Sequence, residues 1–568
     1  ITYALKDTTR EIRRAGASEF THVYRWTKAN LLMPHVRIAH PDSGAFGQEF
    51  QIVEGRMEEQ EPPFSFRNVR GTVRHLGDSI FARIEHFDLP GSVGTINAKV
   101  WWGSGLGTRY DVKIRGDSVS MKDVAWIWPT LPRTGVGQTD IHIHNNWTNL
   151  ALMEYALTNL DVRSTRSRLQ GAMTFVIGDT VLGVKDVDLR GAPINFDLLR
   201  TLAGGPFSAD WQGDLFGFVK GPGGRVTHFL VDTTAFTFRD DHVKGAVSRF
   251  TGKGEVDILI PDSAKFHGFQ VASDLLDLRT MQAIYPEFME LGGTAWGSAT
   301  LDSLWLDVRF RNGDFYHSNG AGEPSRFLGT GRVTYSETDL MTYDVSVDAR
   351  PLSVPHFSRA YELGLKGSFN GPIRARGKAN ALRVTADLMG APGHVTYDGT
   401  VDIDGLNFGA KGTGRVDSLD VAQFVDRKVP PAWVTGEYRV DVNADTIDIA
   451  TLTGGGTFNL ERSVFDGIRV FPSRVVARFD DRRMFIDTLR IESTAATVDA
   501  YGPLGMSSDR VADSVTYFVT VDSVGGLRRY IAHFLPAQDP GAEPDSLSGT
   551  ASLNGIVYGA LTAMRVSG

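Results

Sequence analysis

The stretch "GRVDSLDVAQFVDRKVPPAWVTGEYRVDV", residues 414–442, sets two periodicities side by side. Val421, Phe424 and Val425 follow Asp420 at the spacing of one helix face, and Pro430-Pro431 closes that run. Tyr438, Val440 and Val442 then alternate with Arg439 and Asp441, the period of a strand with one apolar and one polar side. The stretch predicts a short capped helix set between strands, and the fold turns on whether this occurs once or many times.

Working outward, strand alternation dominates. Leu304, Leu306, Val308 and Phe310 alternate with Trp305, Asp307 and Arg309, and Val345 and Val347 with Asp344, Ser346 and Asp348. Leu382 and Val384 alternate with Arg383 and Thr385, Val401 and Ile403 with Asp402 and Asp404, and Val519 and Val521 with Thr520. Turn-type runs such as "RNGD", "YDGT", "GPGG" and "DDRR" stand between them, near the ~8–12-residue spacing of consecutive antiparallel strands.

The helix text recurs. "DVAWIWP", "DLLRTLAGGP", "DLRTMQAIYP", "SVPHFSRAYELG" and "GGLRRYIAHFLP" join "DVAQFV", predicting short helices near 123–128, 197–202, 277–285, 353–361, 420–426 and 525–535. Five of the six open on an Asp or Ser placed to cap free N–H groups, and most stop at Pro or Gly. Their first apolar positions, 124, 198, 278, 354, 421 and 527, are spaced by 74, 80, 76, 67 and 106 residues. This is a repeat of about 75 residues with one expanded member, each unit expected to hold about five or six strands and one helix. Residues 1–110 form an N-terminal partial β unit in this reading, and 111–568 one continuous array. An all-β, elongated antiparallel sheet growing in one dimension is the expected fold class; separate β-sandwiches are the competing one.

Composition narrows the function classes. Hydrophobic residues at 42% and charged residues at 22% describe a globular chain. A net charge of −8 with interleaved signs argues against nucleic acid as a partner. The absence of cysteine removes disulfides, thiolate metal sites and thiol catalysis together. No run reaches the ~18–20 apolar residues of a membrane span, and the start has neither a signal-peptide core nor an initiator Met. The chain reads as a section of a longer protein whose anchor lies outside it.

Catalytic motifs are missing: no G-x-S-x-G, no H-E-x-x-H, no Gly-rich loop ending in Lys-Ser/Thr. "KGPGGR" (220–225) reads as a hairpin turn and "RSTRSR" (163–168) as a solvated turn, with phosphate binding as the rival in each case. "DIHIHNN" sets Asp140, His142 and His144 on one strand face at a spacing open to metal, with outward polar positions the simpler reading. No enzyme activity, cofactor or metal is therefore expected, and the apolar face becomes the most informative feature. Each CH₂ exposed to water costs roughly 0.8 kcal/mol, so a bare 16-carbon chain costs on the order of 12 kcal/mol, which an apolar trough would largely remove.

The order of strand, "LDVAQFV"-like helix and Gly-apolar strand, followed by "GGGTFNLERSVFDGIRV" and "RMFIDTLRIESTAATVDAYGPLG", resembles the repeat of the AsmA-like family that includes TamB, the translocation and assembly module proteins. The resemblance is clearest over 346–505 and traceable over about 110–555. It implies a curved sheet folded into a taco-like groove with an apolar interior, anchored in the inner membrane and crossing the periplasm of a Gram-negative envelope. It also implies lipid acyl chains as cargo, or help in outer-membrane protein assembly through an outer-membrane barrel protein, and no catalytic residues. The expected groove lining is Leu304, Leu306, Val308, Phe310, Val345, Val347, Leu382, Val384, Val401, Ile403, Val440, Val442, Val519 and Val521. The rival functions are a β-repeat adhesin or scaffold and a carbohydrate-active enzyme on a β-solenoid.

Overall fold

The computed structural model describes residues 2–6, 10–12, 21–23, 26–32, 35–39, 47–59, 65–103, 107–124, 133–146, 148–178, 181–203, 211–225, 227–259, 263–286, 288, 291–336, 339–361, 363–404, 407–444, 449–507, 513–522, 549–560 and 563–567. Strand takes up 73% of it and helix 7%, in long antiparallel, open and curved sheet with few short helices, so the expected fold class is the observed one. Two compact units are present, residues 1–272 with 301–305 (unit 1) and residues 273–300 with 306–568 (unit 2).

Among the described residues five short α-helices punctuate the strands: α1 (Met121–Val124), α2 (Phe196–Ala203), α3 (Leu278–Ile284), α4 (Val354–Ala360) and α5 (Val421–Phe424). The sixth expected helix, 525–535, lies outside the described residues. Each of the five starts on the residue after a long strand ends, and the junction residues are Ser120, Asn195, Asp277, Ser353 and Asp420, all of the types that favour an N-cap. Asp420 accepts from the N–H groups of Ala422 at 3.0 Å and Gln423 at 3.3 Å, and Asp277 from Arg279 N–H at 3.1 Å.

Two expected caps are misplaced. Asp197 sits inside the first turn of α2, and Asn195 caps instead, accepting from Asp197 N–H at 3.1 Å. Asp123 lies within α1, and its carboxylate accepts from Gly91 N–H and Ser92 Oγ at 2.9 and 2.6 Å, fixing the preceding connection. The helices begin three residues (α1) and two residues (α2) earlier than an acidic cap would place them.

The repeat has a second mark that sequence reading passed over. Ser92, Ser167 and Ser325 are buried, and each hydroxyl accepts the junction N–H 28 residues later, at Ser120, Asn195 and Ser353, at 2.9 Å in every case. The helix then clasps forward: Met121 N–H donates to Gly135 O, Leu278 to Gly293 O and Val354 to Gly367 O at 3.0–3.1 Å. Gly293 and Gly367 have φ of +78° and +93°, which a residue with a Cβ rarely adopts.

Four strands, not five or six, fill each interval between successive helices from α1 to α5. The period is kept because the strands are long. Several expected turns lie inside them: "GPGG" falls within the strand Gly213–Arg225 and "YDGT" within Gly393–Asp402. "RNGD" is a bulge in Asp307–Ser318, with Asn312 at φ +52° and the register shifting between Phe310 and Gly313. "DDRR" is a true hairpin tip, with Asp481 and Arg482 at φ +45° and +59°, and "RSTRSR" spans the turn between Met153–Ser164 and Ser167–Ile177. Between α5 and residue 525 the described residues hold six longer strands and a small hairpin (Ser463–Phe465 with Ile468–Val470), which accounts for the expanded spacing of 106.

Within unit 1, four consecutive antiparallel pairings carry the sheet from the strand before α1 to the strand before α2; within unit 2, four carry it from the strand before α4 to the one before α5. Four reversals restore strand direction. In each unit these two helices therefore leave the sheet at the same margin.

Candidate functional site

Directly opposed residues of antiparallel neighbours share a face, so the registers settle which side chains stand together. In unit 2 one row runs Phe310, Gly331, Val345, Ala375, Val384, Gly399, Gly412, Val440, Gly456, Ala477 across ten strands. A parallel row runs Val347, Ile373, Ala386, Tyr397, Gly414, Tyr438, Phe458, Val475. A third takes Leu382, Val401, Ala410 and Val442. Val519 and Val521 join the same face through Val498 and Ala496, two and four residues before Ala500, which the second row reaches by way of Leu489.

Most of the expected lining residues are thus brought together on one face. Val308 pairs with Val333 beside the first row. Three depart from expectation. The alternation from Leu304 to Phe310 is not one strand: Leu304 ends the strand Thr294–Leu304, Trp305 and Leu306 form a two-residue turn, and Asp307 begins the next strand. Leu304 and Leu306 are accordingly exposed. Without Gly, Asn or Asp at the turn, nothing in the residue types marks it. Ile403 lies one residue past its strand, where its N–H donates to the carbonyl of Ala379 at 2.9 Å.

Sequence reading also missed the counterpart in unit 1. Ile84, Ile96, Ile114, Ile141, Leu157 and Met173 occupy one row over six strands, all half-buried. Their alternation is as regular as that of the later strands, so the signal was present.

Glycines in these rows have a packing reason. A Cβ at Gly414 would stand 2.4 Å from the Tyr438 ring, one at Gly331 2.7 Å from Phe310, and one at Gly412 3.0 Å from Tyr397. Rings therefore occupy the space a Cβ would take at these glycines. The tyrosine hydroxyls turn onto backbone: Tyr438 donates to Thr396 O at 2.8 Å and Tyr397 to Thr400 O at 3.0 Å. Burial pushes the Tyr438 phenol up to about 12, with Tyr397 adding to it, so this face carries no phenolate at neutral pH.

The face remains open to a degree unusual for a core. Val345, Val347, Val384, Val401 and Val440 are half-buried, whereas Ala500, Leu504 and Val515 pack together as a small buried cluster.

The opposite face is polar and ion-paired. Arg332 forks onto Asp307 at 2.5 and 2.6 Å, Lys411 meets Asp441 at 2.8 Å, Arg478 forks onto Asp487, and Arg383 pairs with Asp398. Hydrogen bonds from Arg332 and Arg478 hold the carboxyls of Asp307 and Asp487 below the usual range. Such pairs contribute little stability individually, but they keep this side wetted and occupied.

The His142 and His144 pair, considered for metal, lies in unit 1 on the side of its strand opposite Ile141 and Ile143. His142 Nε2 meets Asp111 at 2.8 Å and His144 lies 3.6 Å from Glu154, which Lys185 neutralises at 2.7 Å. Asp140 instead accepts from Asn159, so the three residues do not converge. No helix among the described residues is long and apolar enough to cross a membrane. No protein-family model matches the chain, and no curated protein is similar to it in sequence.

Proposed function

We propose that the protein is a non-enzymatic conduit for lipid, holding acyl chains against the apolar faces of its sheets while the polar faces stay in water. The observation that carries this is the half-buried apolar band, in register across ten strands of unit 2, opposed to a face laced with ion pairs. An amphipathic sheet of this kind lacks a reason to leave its valines partly wet unless something apolar comes to cover them. A 16-carbon chain laid on it would recover a large part of the roughly 12 kcal/mol that its exposure to water costs.

The setting in this proposal is the periplasm of a Gram-negative envelope, between an inner-membrane anchor outside this sequence and an outer-membrane partner. That part rests on the resemblance of the repeat to AsmA-like proteins alone.

The test is lipid extraction and mass spectrometry of the purified protein, with a photo-crosslinking residue at Val347, at Ile114 and, on the polar face, at Lys411. Co-purifying phospholipid and lipid adducts at the first two positions but not the third are expected. Absence of lipid together with no adduct at Val347 or Ile114 would overturn the conduit in favour of a dry scaffold.

A further inference from the structure

Three strands, His228–Asp240, Val247–Leu259 and Ser263–Asp277, bring together His228, Asp257 and His267, all in unit 1 and separated by 29 and 10 residues in sequence. Each offers one ligand atom, and the three atoms lie within 4.8 Å of one another. Asp257 uses its two oxygens separately: Oδ1 is 2.9 Å from His228 Nδ1 and Oδ2 is 2.6 Å from His267 Nε2. The second ring nitrogen of His228, Nε2, is 3.4 Å from a carboxylate oxygen of Glu255.

We propose that His228, Asp257 and His267 form a binding site for one divalent first-row transition-metal ion of the zinc class. Two imidazole nitrogens and one carboxylate oxygen suit Zn²⁺, Co²⁺ or Ni²⁺ and disfavour Mg²⁺ and Ca²⁺, which take all-oxygen ligand sets. With ligand bonds of ~2.0–2.1 Å, ligand atoms around a tetrahedral ion stand a little over 3 Å apart, a spacing the present positions reach by small ring rotations. The ion takes the place of the protons that now bridge Asp257 to the two rings. His228 ligates through Nδ1, which leaves its Nε2–H facing Glu255 3.4 Å away, an outer carboxylate of the kind that favours this tautomer at many zinc sites. A fourth position stays open to water.

The surroundings fit an exchangeable ion. His228 and His267 side chains are 56% and 34% exposed, so an ion has a path in, while Asp257 at 17% supplies a sheltered carboxylate between them. Asp257 lies between the two rings with one oxygen toward each. By contrast, His142 and His144 hold separate carboxylates, one of them already paired with lysine. The site bridges three strands on the polar side of the sheet: Phe229 and Val256, one residue beyond His228 and one before Asp257, are directly paired and alternate to the other side. Bound metal would pin these strands and leave the apolar face free.

The test uses the whole chain, stripped with EDTA and titrated with Zn²⁺ by calorimetry and with Co²⁺ by visible absorption. One saturable site is expected, with the intense d–d bands of four-coordinate Co²⁺. His228→Ala, His267→Ala and Asp257→Asn should each weaken binding by more than the ~10–100-fold typical of losing an outer partner, and Glu255→Gln by an amount inside that range. His142→Ala should bind like the native protein. Hydrogen exchange in the three strands should slow on adding Zn²⁺ in the native chain only. Circular dichroism separates loss of a ligand from loss of fold. Binding that persists unchanged in the His228→Ala/His267→Ala double variant would make it adventitious and overturn the site, as would no saturable binding in the native protein.

Discussion

Acidification should loosen α4, and His356 is the cause. Its side chain is fully buried, its ring stands edge to face 4.8 Å from His317, and its Nδ1 is 3.1 Å from Ser325 Oγ. Ser325 Oγ already accepts the Ser353 N–H at 2.9 Å, so its own proton is free to go to His356 Nδ1. The imidazole is then neutral with its proton on Nε2, an atom with no hydrogen-bond partner among the described residues. Burial, reinforced by His317, lowers the group from 6.5 to about 4. Between these two values the unfolded chain binds the proton and the folded chain does not, so stability is complete above pH 6.5 and is lost as pH falls toward 4. Linkage gives a loss of about 1 kcal/mol at pH 6 and about 2 kcal/mol at pH 5. The assay is hydrogen exchange of peptides covering Val354–Ala360, corrected for the intrinsic pH dependence of exchange. Protection in the native protein should fall about 20-fold between pH 7 and pH 5. In His356→Asn, which can still meet Ser325, protection should start lower but change little with pH. Equal pH dependence in the two proteins, or protection that rises on acidification, would refute the reasoning.

Two further outcomes follow from packing. Phe424→Asp removes a ring 6.1 Å from the buried Phe369 ring and should destabilise α5 and the segment it ties down, where Lys366 N–H meets Phe424 O at 2.7 Å, by about 3 kcal/mol or more. Exchange at residues 364–366 and 421–425 should accelerate while the strands around Ile114 and Ile141 keep their protection; global loss would show the repeats to be more interdependent than their spacing suggests. Gly414→Val would set a Cβ 2.1 Å from the Thr396 carbonyl oxygen and 2.4 Å from the Tyr438 ring and cost about 1–3 kcal/mol by displacing both, seen as a lower melting temperature and altered near-ultraviolet dichroism, whereas Gly467→Ala strains a turn at φ +78° but meets no atom within 4 Å and should leave the tyrosine signal unchanged.

Strand alternation and capped helix starts were legible because each depends on residues close in sequence. Val345, Val384 and Val440 could be assigned to an apolar face from their own neighbours, although only the registers show that they share one row. Strand number was misjudged for a physical reason. Asn-Gly and Gly-rich runs ordinarily mark turns, but here Asn312 forms a bulge, and Gly399 of "YDGT" and Gly221 of "GPGG" lie within strands where a Cβ would meet the neighbouring backbone, which no local rule reveals. The Trp305-Leu306 turn failed in the opposite sense, lacking any turn-type residue. His228, Asp257 and His267 were invisible for a third reason: their meeting depends on the register of three long strands rather than on any spacing along the chain.

The even number of strands between helices bears on how such a chain can change length. Because two reversals restore direction, gaining or losing a hairpin keeps every later helix on its own margin and every later valine on its own side. A single added strand would invert the polarity of everything downstream. The block after α5 obeys this rule: its six longer strands pair antiparallel in order and return Ser514–Val521 to the heading of Phe408–Asp420. Length in this architecture is therefore heritable only in quanta of two strands, and a lengthened or shortened version that still folds should differ by whole hairpins.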